Sequence, residues 1–177
     1  MSPTIYCPSP ATVTIRFVSG QSSLGAVLVA WSELGICAVL FGDSAEQRLS
    51  DLGHRFPDAR LEEGGAECQR ELARVLACVD GAGLVSDLEL DPQGTPLQRR
   101  VWRAIQQIPT GETTSYRQLA DAVDAPGAAR AVAQACGANP IAVLVPCHRV
   151  VRTDGGLSGY RWGVERKREL LRREQAG

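Results

Sequence analysis

Residues 113–139, TTSYRQLADAVDAPGAARAVAQACGAN, carry the pattern that decides the fold of the C-terminal half. Thr114 or Ser115 caps one short helix, and Pro126-Gly127 makes the turn before a second helix that is rich in alanine. Two short helices joined by a tight turn form a helix-turn-helix. The stretch therefore predicts a DNA-binding unit.

Residues 141–151, IAVLVPCHRVV, follow this unit directly and place ionisable side chains at the end of an aliphatic run. Buried polar groups cost free energy unless they are paired, so this placement indicates a chemical role. Pro146 predicts a break, with Cys147 opening a turn or short helix whose N–H groups, together with basic neighbours, lower the thiol's pKa. His148 can then take the thiol proton, directly or through a water.

The imidazole of His148 needs a carboxylate to hold its tautomer, and the charged helix predicted at residues 164–175 offers two. Glu169 and Glu174 flank LLRR, and the spacing does not choose between them. Alternatively, Cys147 is a small core residue and His148 a surface histidine. The fixed order Pro-Cys-His-Arg beside a helix-turn-helix favours the reactive thiol.

The N-terminal half predicts a small sheet with helices. Residues 11–20 and 25–42 are rich in β-branched and apolar residues, and the second segment predicts a hairpin that turns at residues 32–35. The remaining elements predicted before residue 95 are two helices and a short strand, at residues 43–56, 66–81 and 83–94. We place the domain boundary near Asp91 to Gly94, which divides the chain into residues 1–92 and 93–177.

Charge is distributed unevenly although the net charge is only −1. Residues 1–92 contain 6 arginines against 13 acidic residues, whereas residues 93–177 contain 13 basic residues against 7 acidic ones. A basic half favours a polyanionic partner. Solvated arginines encoded by a GC-rich genome would give the same composition, so composition alone leaves both interpretations open.

The six cysteines lack CxxC spacing, and four of them lie in apolar surroundings, which indicates reduced thiols in an intracellular, cytoplasmic protein. The N-terminal residues lack a secretory signal, and no apolar stretch is long enough to span a bilayer. Cys7 and His54 stand too isolated to form a zinc site. We therefore expect no metal and no cofactor.

NPIAVLVPCHRVV at residues 139–151 resembles the active-site signature of the O6-alkylguanine-DNA alkyltransferases, also called methylated-DNA–protein-cysteine methyltransferases. Within the family, the chain is most similar to the C-terminal half of bacterial Ada, although Ada's four-cysteine zinc domain, and with it a transcription-activator role, is not evident. The resemblance extends weakly to residues 24–43 and strongly through GETTSYRQLA, GAARAVAQACGANP and LSGYRWGVERKRELLRRE. It implies an α+β fold: a ribonuclease H-like N-terminal domain with a small antiparallel sheet and helices, then a winged-helix or helix-turn-helix-like DNA-binding domain.

Members of this family flip the damaged base out of double-stranded DNA and move its alkyl group irreversibly onto their own cysteine. The resemblance therefore implies an enzyme that acts once, on O6-methylguanine and to a lesser extent on O4-methylthymine, as a monomer. It implies that Cys147 accepts the methyl group, that His148 is the base through a water, and that Glu174 orients His148. Asn139 would brace the hinge between the recognition helix and the active-site segment.

The DNA contacts implied by the resemblance lie on the two short helices. Tyr116 would displace the target phosphate and give a proton to the departing guanine, and Arg130 would fill the space that the flipped base leaves. Arg117 would hold a phosphate. Ala129 and Ala131 are short, which suits a helix inserted in the minor groove.

The sequence GYRWG at residues 159–163 departs from the family pattern, since many relatives carry small residues at Arg161 and Trp162. Tyr160 and Trp162 are expected to narrow the alkyl pocket and favour methyl over bulky adducts. Two alternative functions remain: a helix-turn-helix regulator or lesion sensor with an unreactive cysteine, and a thiol hydrolase that turns over.

Overall fold

The computed structural model describes residues 12–157 and 159–177. Strands form a sheet in the N-terminal half, and helices make up most of the C-terminal half, so the predicted α+β class is confirmed. Among the helices in the described ranges, none is long and apolar enough to cross a lipid bilayer.

The N-terminal sheet has four strands: β1 (Thr14–Ser22), β2 (Gly25–Trp31), β3 (Ile36–Phe41) and β4 (Arg60–Glu63). Their spatial order is β3-β2-β1-β4, and the first three are antiparallel. The predicted hairpin turn is closed by a 2.9 Å bond from the Ser32 N–H to the Gly35 carbonyl. The fourth strand, which the sequence did not predict, pairs with β1 in parallel, so the sheet is mixed at this edge.

Two helices accompany this sheet: α1 (Ala45–Arg55) and α2 (Ala66–Val79). The side chain of Ser44 caps α1 by accepting the Gln47 N–H at 3.1 Å, within the range 43–56 that the sequence predicts for this helix. The first helix connects β3 to β4 as the crossover that a parallel strand pair requires. The second helix packs against β1.

The outer edge of β3 is covered by backbone from the C-terminal half. The Val39 N–H donates to the Pro140 carbonyl at 2.9 Å, and the Ala142 N–H donates to the Val39 carbonyl at 3.0 Å. An uncovered edge would expose unpaired N–H and C=O groups, so this contact explains why every residue of β3 is buried. It also attaches the segment before Cys147 to the sheet. The division of the chain at residues 92 and 93 stays a prediction.

The strand predicted within residues 83–94 is wrong for most of its length. Val85–Asp87 form a 3-10 turn, and only Leu90 makes a bridge, opposite Ile36. The physical reason is the shared edge of β3, because residues 140–142 already occupy it at Val39. Residues 83–94 therefore pair with β3 only at its first residue, through the bridge between Leu90 and Ile36.

Three helices pack together in the C-terminal half: α3 (Pro96–Ile105), α4 (Tyr116–Ala122) and α5 (Ala129–Gly137). The first two begin with capping boxes, in which Thr95 pairs with Gln98 and Ser115 with Gln118. Trp102 of α3 is buried, and its indole N–H donates to the Ala135 carbonyl of α5 at 2.8 Å. The predicted helix-turn-helix therefore consists of α4 and α5.

Two further elements place the active-site segment. Strand β5 (Thr114–Ser115) pairs in parallel with β6 (Val150–Val151), which links the start of α4 to the chain just after Cys147. The last helix, α6 (Val164–Ala176), contacts the 3-10 turn Cys147–Arg149. The PCHR segment thus lies between the recognition helices and the final helix.

Candidate active site and nucleic-acid interface

Cys147 opens a 3-10 turn, as the proline before it predicts, and its side chain is buried. The expected lowering of its pKa is wrong: burial raises the pKa of this thiol well above its usual value. The physical reason is desolvation, since a thiolate surrounded by protein loses the stabilisation of water. One turn of 3-10 helix provides too few aligned N–H groups to offset that cost. The thiol therefore needs a base.

His148 is fully buried, and its Nε2 lies 2.7 Å from Oε1 of Glu174. Of the two carboxylates left open by the sequence, Glu174 is the one in contact, because Glu169 pairs with Arg172 and Arg173 on the same helix. Burial lowers the pKa of His148, although Glu174 partly opposes this effect. The imidazole is consequently neutral at neutral pH.

The tautomer of His148 follows from the state of its partner. Burial alone would raise the pKa of Glu174, but the bonds from His148 and Arg149 outweigh it and lower that pKa to about 2. An ionised carboxylate only accepts hydrogen bonds, so Nε2 must carry the proton that it donates. Nδ1 of the neutral ring is then a proton acceptor. It is buried and has no hydrogen-bond partner among the described residues.

Arg149 fixes Glu174 and was not among the predicted site residues. Its guanidinium bonds both carboxylate oxygens of Glu174 at 2.8–3.2 Å and also reaches the Ile108 carbonyl and the Thr110 hydroxyl. One side chain thereby ties the loop that follows α3 to α6. Its adjacency to His148 in the sequence was the available signal, but an arginine is by default a surface residue.

Asn139 is fully buried and braces the segment before Cys147. Its Nδ2 donates to the Val145 carbonyl at 2.9 Å, and its Oδ1 accepts the Ile141 N–H at 2.9 Å. Between these two points Val143 has φ +68°, a left-handed conformation that is strained for a β-branched residue. The amide therefore closes a turn that the backbone would not adopt on its own.

Replacing Asn139 with alanine is expected to lower the free energy of unfolding by about 1–3 kcal/mol, because the buried Ile141 N–H loses its partner and the Val145 carbonyl keeps only the Cys147 N–H. Urea denaturation followed by circular dichroism measures this loss. Alanine in place of the exposed Gln134 on α5 is the control and should change stability by less than about 0.5 kcal/mol. Equal stability of the two variants would contradict the bracing role.

Tyr116 and Tyr160 lie near Cys147. Burial raises the pKa of Tyr116 to about 12, and the neighbouring Cys136 and Cys147 thiols add to this effect. Burial also raises the pKa of Tyr160, with a further contribution from Cys147. The Tyr160 hydroxyl is buried with no hydrogen-bond partner among the described residues. Its ring packs edge-on against buried Trp162, with centroids 5.5 Å apart.

The other predicted residues lie further out. Arg130 is exposed near the start of α5, between the partly buried Ala129 and Ala131. Arg117 is exposed on α4. Arg161 is exposed as well, and its guanidinium lies 5.8 Å from the Trp162 ring centroid. These side chains lie on the recognition helices or on the surface, outside the buried site around Cys147.

Two buried polar side chains at the site were not predicted from the sequence. Lys167 is fully buried on α6, and its ammonium donates to the Val150 carbonyl at 2.6 Å. Burial lowers the pKa of Lys167, and the Cys136 and Cys147 thiols partly oppose this effect. Cys136 on α5 is buried and adds to the rise in the pKa of Cys147. Lys167 lies in a helix with many charged residues, and Cys136 lies in one with many apolar residues. The sequence therefore gave no sign that either side chain belongs to the site.

Comparison with known proteins connects this geometry to a family. The family model for the DNA-binding domain of 6-O-methylguanine DNA methyltransferase matches residues 96–176. A crystal structure of Mycobacterium tuberculosis OGT in complex with DNA is 35% identical, covers 93% of this chain and 94% of its own, and has a TM-score of 0.75. The chain belongs to the O6-methylguanine-DNA methyltransferase family. This confirms the family predicted from the PCHRV signature.

Curated relatives place the chain within the O6-methylguanine-DNA methyltransferase family. The bifunctional transcriptional activator/DNA repair enzyme Ada of Escherichia coli is 48% identical over 92% of this chain and 46% of its own length. The methylated-DNA–protein-cysteine methyltransferase of Mycobacterium bovis is 57% identical over 51% of this chain and 54% of its own. The chain thus spans about half the length of the curated relatives it matches.

Proposed function

We propose that this protein repairs DNA by direct reversal, transferring the methyl group of O6-methylguanine irreversibly to Sγ of Cys147. The observation that carries the proposal is the buried Nδ1 of His148, which is left as an acceptor because Glu174 holds the opposite ring nitrogen. O4-methylthymine is the proposed lesser substrate. The name of the Mycobacterium bovis relative, methylated-DNA–protein-cysteine methyltransferase, describes the same reaction and supports the proposal.

The transfer begins with the thiol proton, which passes from Cys147 to Nδ1 of His148 through a water. Glu174 stabilises the imidazolium that forms, because its low pKa keeps it ionised at neutral pH. The sulfur then attacks the methyl carbon, and the bond from that carbon to O6 breaks. Charge develops on the guanine, and the Tyr116 hydroxyl donates a proton to it. The buried ammonium of Lys167 lies close enough to stabilise the thiolate.

Access to the methyl group requires the base to leave the duplex, because O6 inside the helix cannot reach a buried sulfur. We propose that α5 enters the minor groove, where Ala129 and Ala131 permit close approach and Arg130 fills the vacated stack. Arg117 holds a phosphate. An open cavity of about 340 Å³ beside Tyr116, lined by Arg152, Thr153 and Asp154, suits the displaced nucleotide backbone.

The proposed partner is double-stranded DNA bound by a monomer, in the compartment that holds the bacterial chromosome. Asn139 acts at the hinge between α5 and the PCHR segment, since its two bonds span that junction. We propose that the chain consists of an N-terminal domain at residues 1–92 and an alkyltransferase domain at residues 93–177.

The stoichiometry of repair tests this function. Increasing amounts of an O6-methylguanine duplex are mixed with a fixed amount of protein, and the guanine restored is measured at completion. We expect repair to stop at one lesion per protein molecule. Continued repair beyond that point would indicate a hydrolase, and tight binding without repair would indicate a regulator or lesion sensor.

The alkyl pocket is proposed to discriminate against bulky adducts. Tyr160 and Trp162 are both buried and pack edge-on, and we propose that this pair leaves too little room for a benzyl group. We expect slow reaction with free O6-benzylguanine, and a faster reaction in the Trp162→Gly variant, by about tenfold. Alanine at Leu34, an exposed residue in the hairpin turn of the N-terminal sheet, is the control. Fast benzyl transfer by the unaltered protein would contradict the narrow pocket.

A further inference from the structure

Arg166, in the first turn of α6, connects the loop that carries Trp162 to the N-terminal sheet, and the proposed methyl transfer assigns it no role. Its Nε donates to the Leu24 carbonyl, in the turn between β1 and β2, at 2.9 Å. Its Nη1 donates to the Trp162 carbonyl, also at 2.9 Å. One half-buried guanidinium thus joins two backbone carbonyls that are distant in the sequence.

The same guanidinium is also held by an aromatic ring of the sheet. It lies over Phe41, the last residue of β3, with 4.8 Å between its Cζ and the ring centroid. Phe41 is only 3% exposed, so the ring is fixed by the core around it. A cation over an aromatic face is attracted to it, most strongly where water is largely excluded. The sheet therefore holds Arg166 through two different contacts.

The loop on the other side of Arg166 depends on such an anchor. Gly159 and Gly163 flank Tyr160 and Trp162, and both glycines have left-handed backbone conformations, with φ +68° and +98°. Because glycine adopts many backbone conformations with little cost, these two positions impose little on the residues between them. The position of the Trp162 ring is thus determined largely by what holds its backbone.

We propose that Arg166 is a positioning residue for the alkyl pocket, which holds the Trp162 loop against the N-terminal sheet and so keeps bulky alkyl groups out. This proposal rests on the proposed methyl transfer to Cys147 and on Trp162 as a wall of the pocket. It gives the N-terminal sheet a part in substrate selection, although the sheet contains neither the nucleophile nor the base.

Loss of this anchor should widen the pocket without altering the groups that perform the transfer. His148 is held by Glu174, and Glu174 is held by Arg149, through bonds that involve no atom of Arg166. A loop released at Trp162 can move outward and admit a larger group, while the sulfur and its base stay in place. The rate on a benzyl adduct should therefore rise relative to the rate on a methyl adduct.

The test uses two duplexes of one sequence, with O6-methylguanine or O6-benzylguanine at the same position, in single-turnover reactions with the full chain. Arg166→Met keeps the length of the side chain but removes its donors, and we expect it to raise the ratio of benzyl to methyl rates by about fivefold. Arg166→Lys can still donate to one of the two carbonyls. Its ratio should lie between those of Arg166→Met and the unaltered protein.

Arg173→Met is the matched control. Arg173 also joins α6 to the turn between β1 and β2, through a 2.8 Å bond to the Ser23 hydroxyl, and makes no bond to Trp162. General loosening of α6 against the sheet would raise the ratio in this variant too, whereas the positioning role predicts no change. Combining Arg166→Met with Trp162→Gly should give the ratio of Trp162→Gly alone, because Arg166 acts through that ring.

Two results would overturn the positioning role: an unchanged ratio in Arg166→Met, even with both rates lowered, or an equal rise in Arg173→Met. Either result, with methyl transfer intact in the unaltered protein, leaves the repair function standing. Absence of methyl transfer in the unaltered protein would overturn the repair function instead. If Arg166→Met does not fold, Phe41→Leu removes the ring beneath the guanidinium and should raise the ratio by about twofold. An unchanged ratio in Phe41→Leu would then overturn the positioning role.

Discussion

Replacing Glu174 with glutamine is expected to slow methyl transfer by about 100-fold in single-turnover measurements on a methylated duplex. The amide keeps the shape of the carboxylate but removes the negative charge that stabilises the imidazolium of His148. It also permits the wrong tautomer, because an amide N–H can donate to Nε2 and leave the ring proton on Nδ1. That tautomer cannot accept the thiol proton.

Glu169 on the same helix provides the matched control for this variant. It pairs with Arg172 and Arg173 at 2.7–2.9 Å, away from His148, so Glu169→Gln should repair DNA at the normal rate. DNA affinity should be equal in both variants, since neither residue is proposed to touch DNA. Similar rates for Glu174→Gln and the unaltered protein would contradict the role of His148 as the base.

Replacing Arg130 with alanine is expected to slow repair of a methylated duplex by about 10- to 100-fold, because flipping costs a few kcal/mol and the empty stack is no longer filled. Repair of the same lesion in a single-stranded oligonucleotide should be almost unchanged, since no stacked partner has to be replaced. The measurement is the ratio of the two single-turnover rates.

Arg117→Ala is the comparison that separates base flipping from simple electrostatics. Both arginines are exposed and both changes remove one positive charge. Loss of a phosphate contact weakens binding to single and double strands alike and reduces its salt dependence. The ratio of duplex to single-strand rates should therefore fall only for Arg130→Ala. A similar ratio in both variants would contradict the intercalating role.

Local signals in the sequence were reliable predictors of this fold. Ser115 begins α4, and Ser44 begins the helix predicted at residues 43–56, because a side-chain cap acts within three residues of the chain. The hairpin turn at residues 32–35 is likewise closed by a local bond, from the Ser32 N–H to the Gly35 carbonyl. These elements could be predicted because the interactions that determine them lie within one short window.

Elements determined by distant contacts could not be predicted in this way. The polar strand Arg60–Glu63 exists because β1 offers it a parallel partner, and residues 83–94 fail to form a strand because residues 140–142 occupy the edge of β3. The choice of Glu174 over Glu169 as partner of His148 likewise depends on how α6 lies against the PCHR turn. Family resemblance supplied that choice, whereas spacing alone did not.

The electrostatics of the site could not be predicted from the residues that form it. A helix start and basic neighbours favour a low thiol pKa, yet burial of Cys147 dominates and raises it. Lys167 and Arg149 have the sequence character of surface charges, although one is fully buried and the other holds Glu174. Burial is a property of the whole fold, so a local sequence window cannot report it.

Peptide mass spectrometry after reaction with an O6-methylguanine duplex tests most directly whether Cys147 itself accepts the methyl group. We predict one added methyl group on the peptide containing Cys147, in an amount equal to the guanine restored, with Cys136 unmodified. Restored guanine with an unmodified Cys147, or methyl on another cysteine, would contradict the proposed transfer.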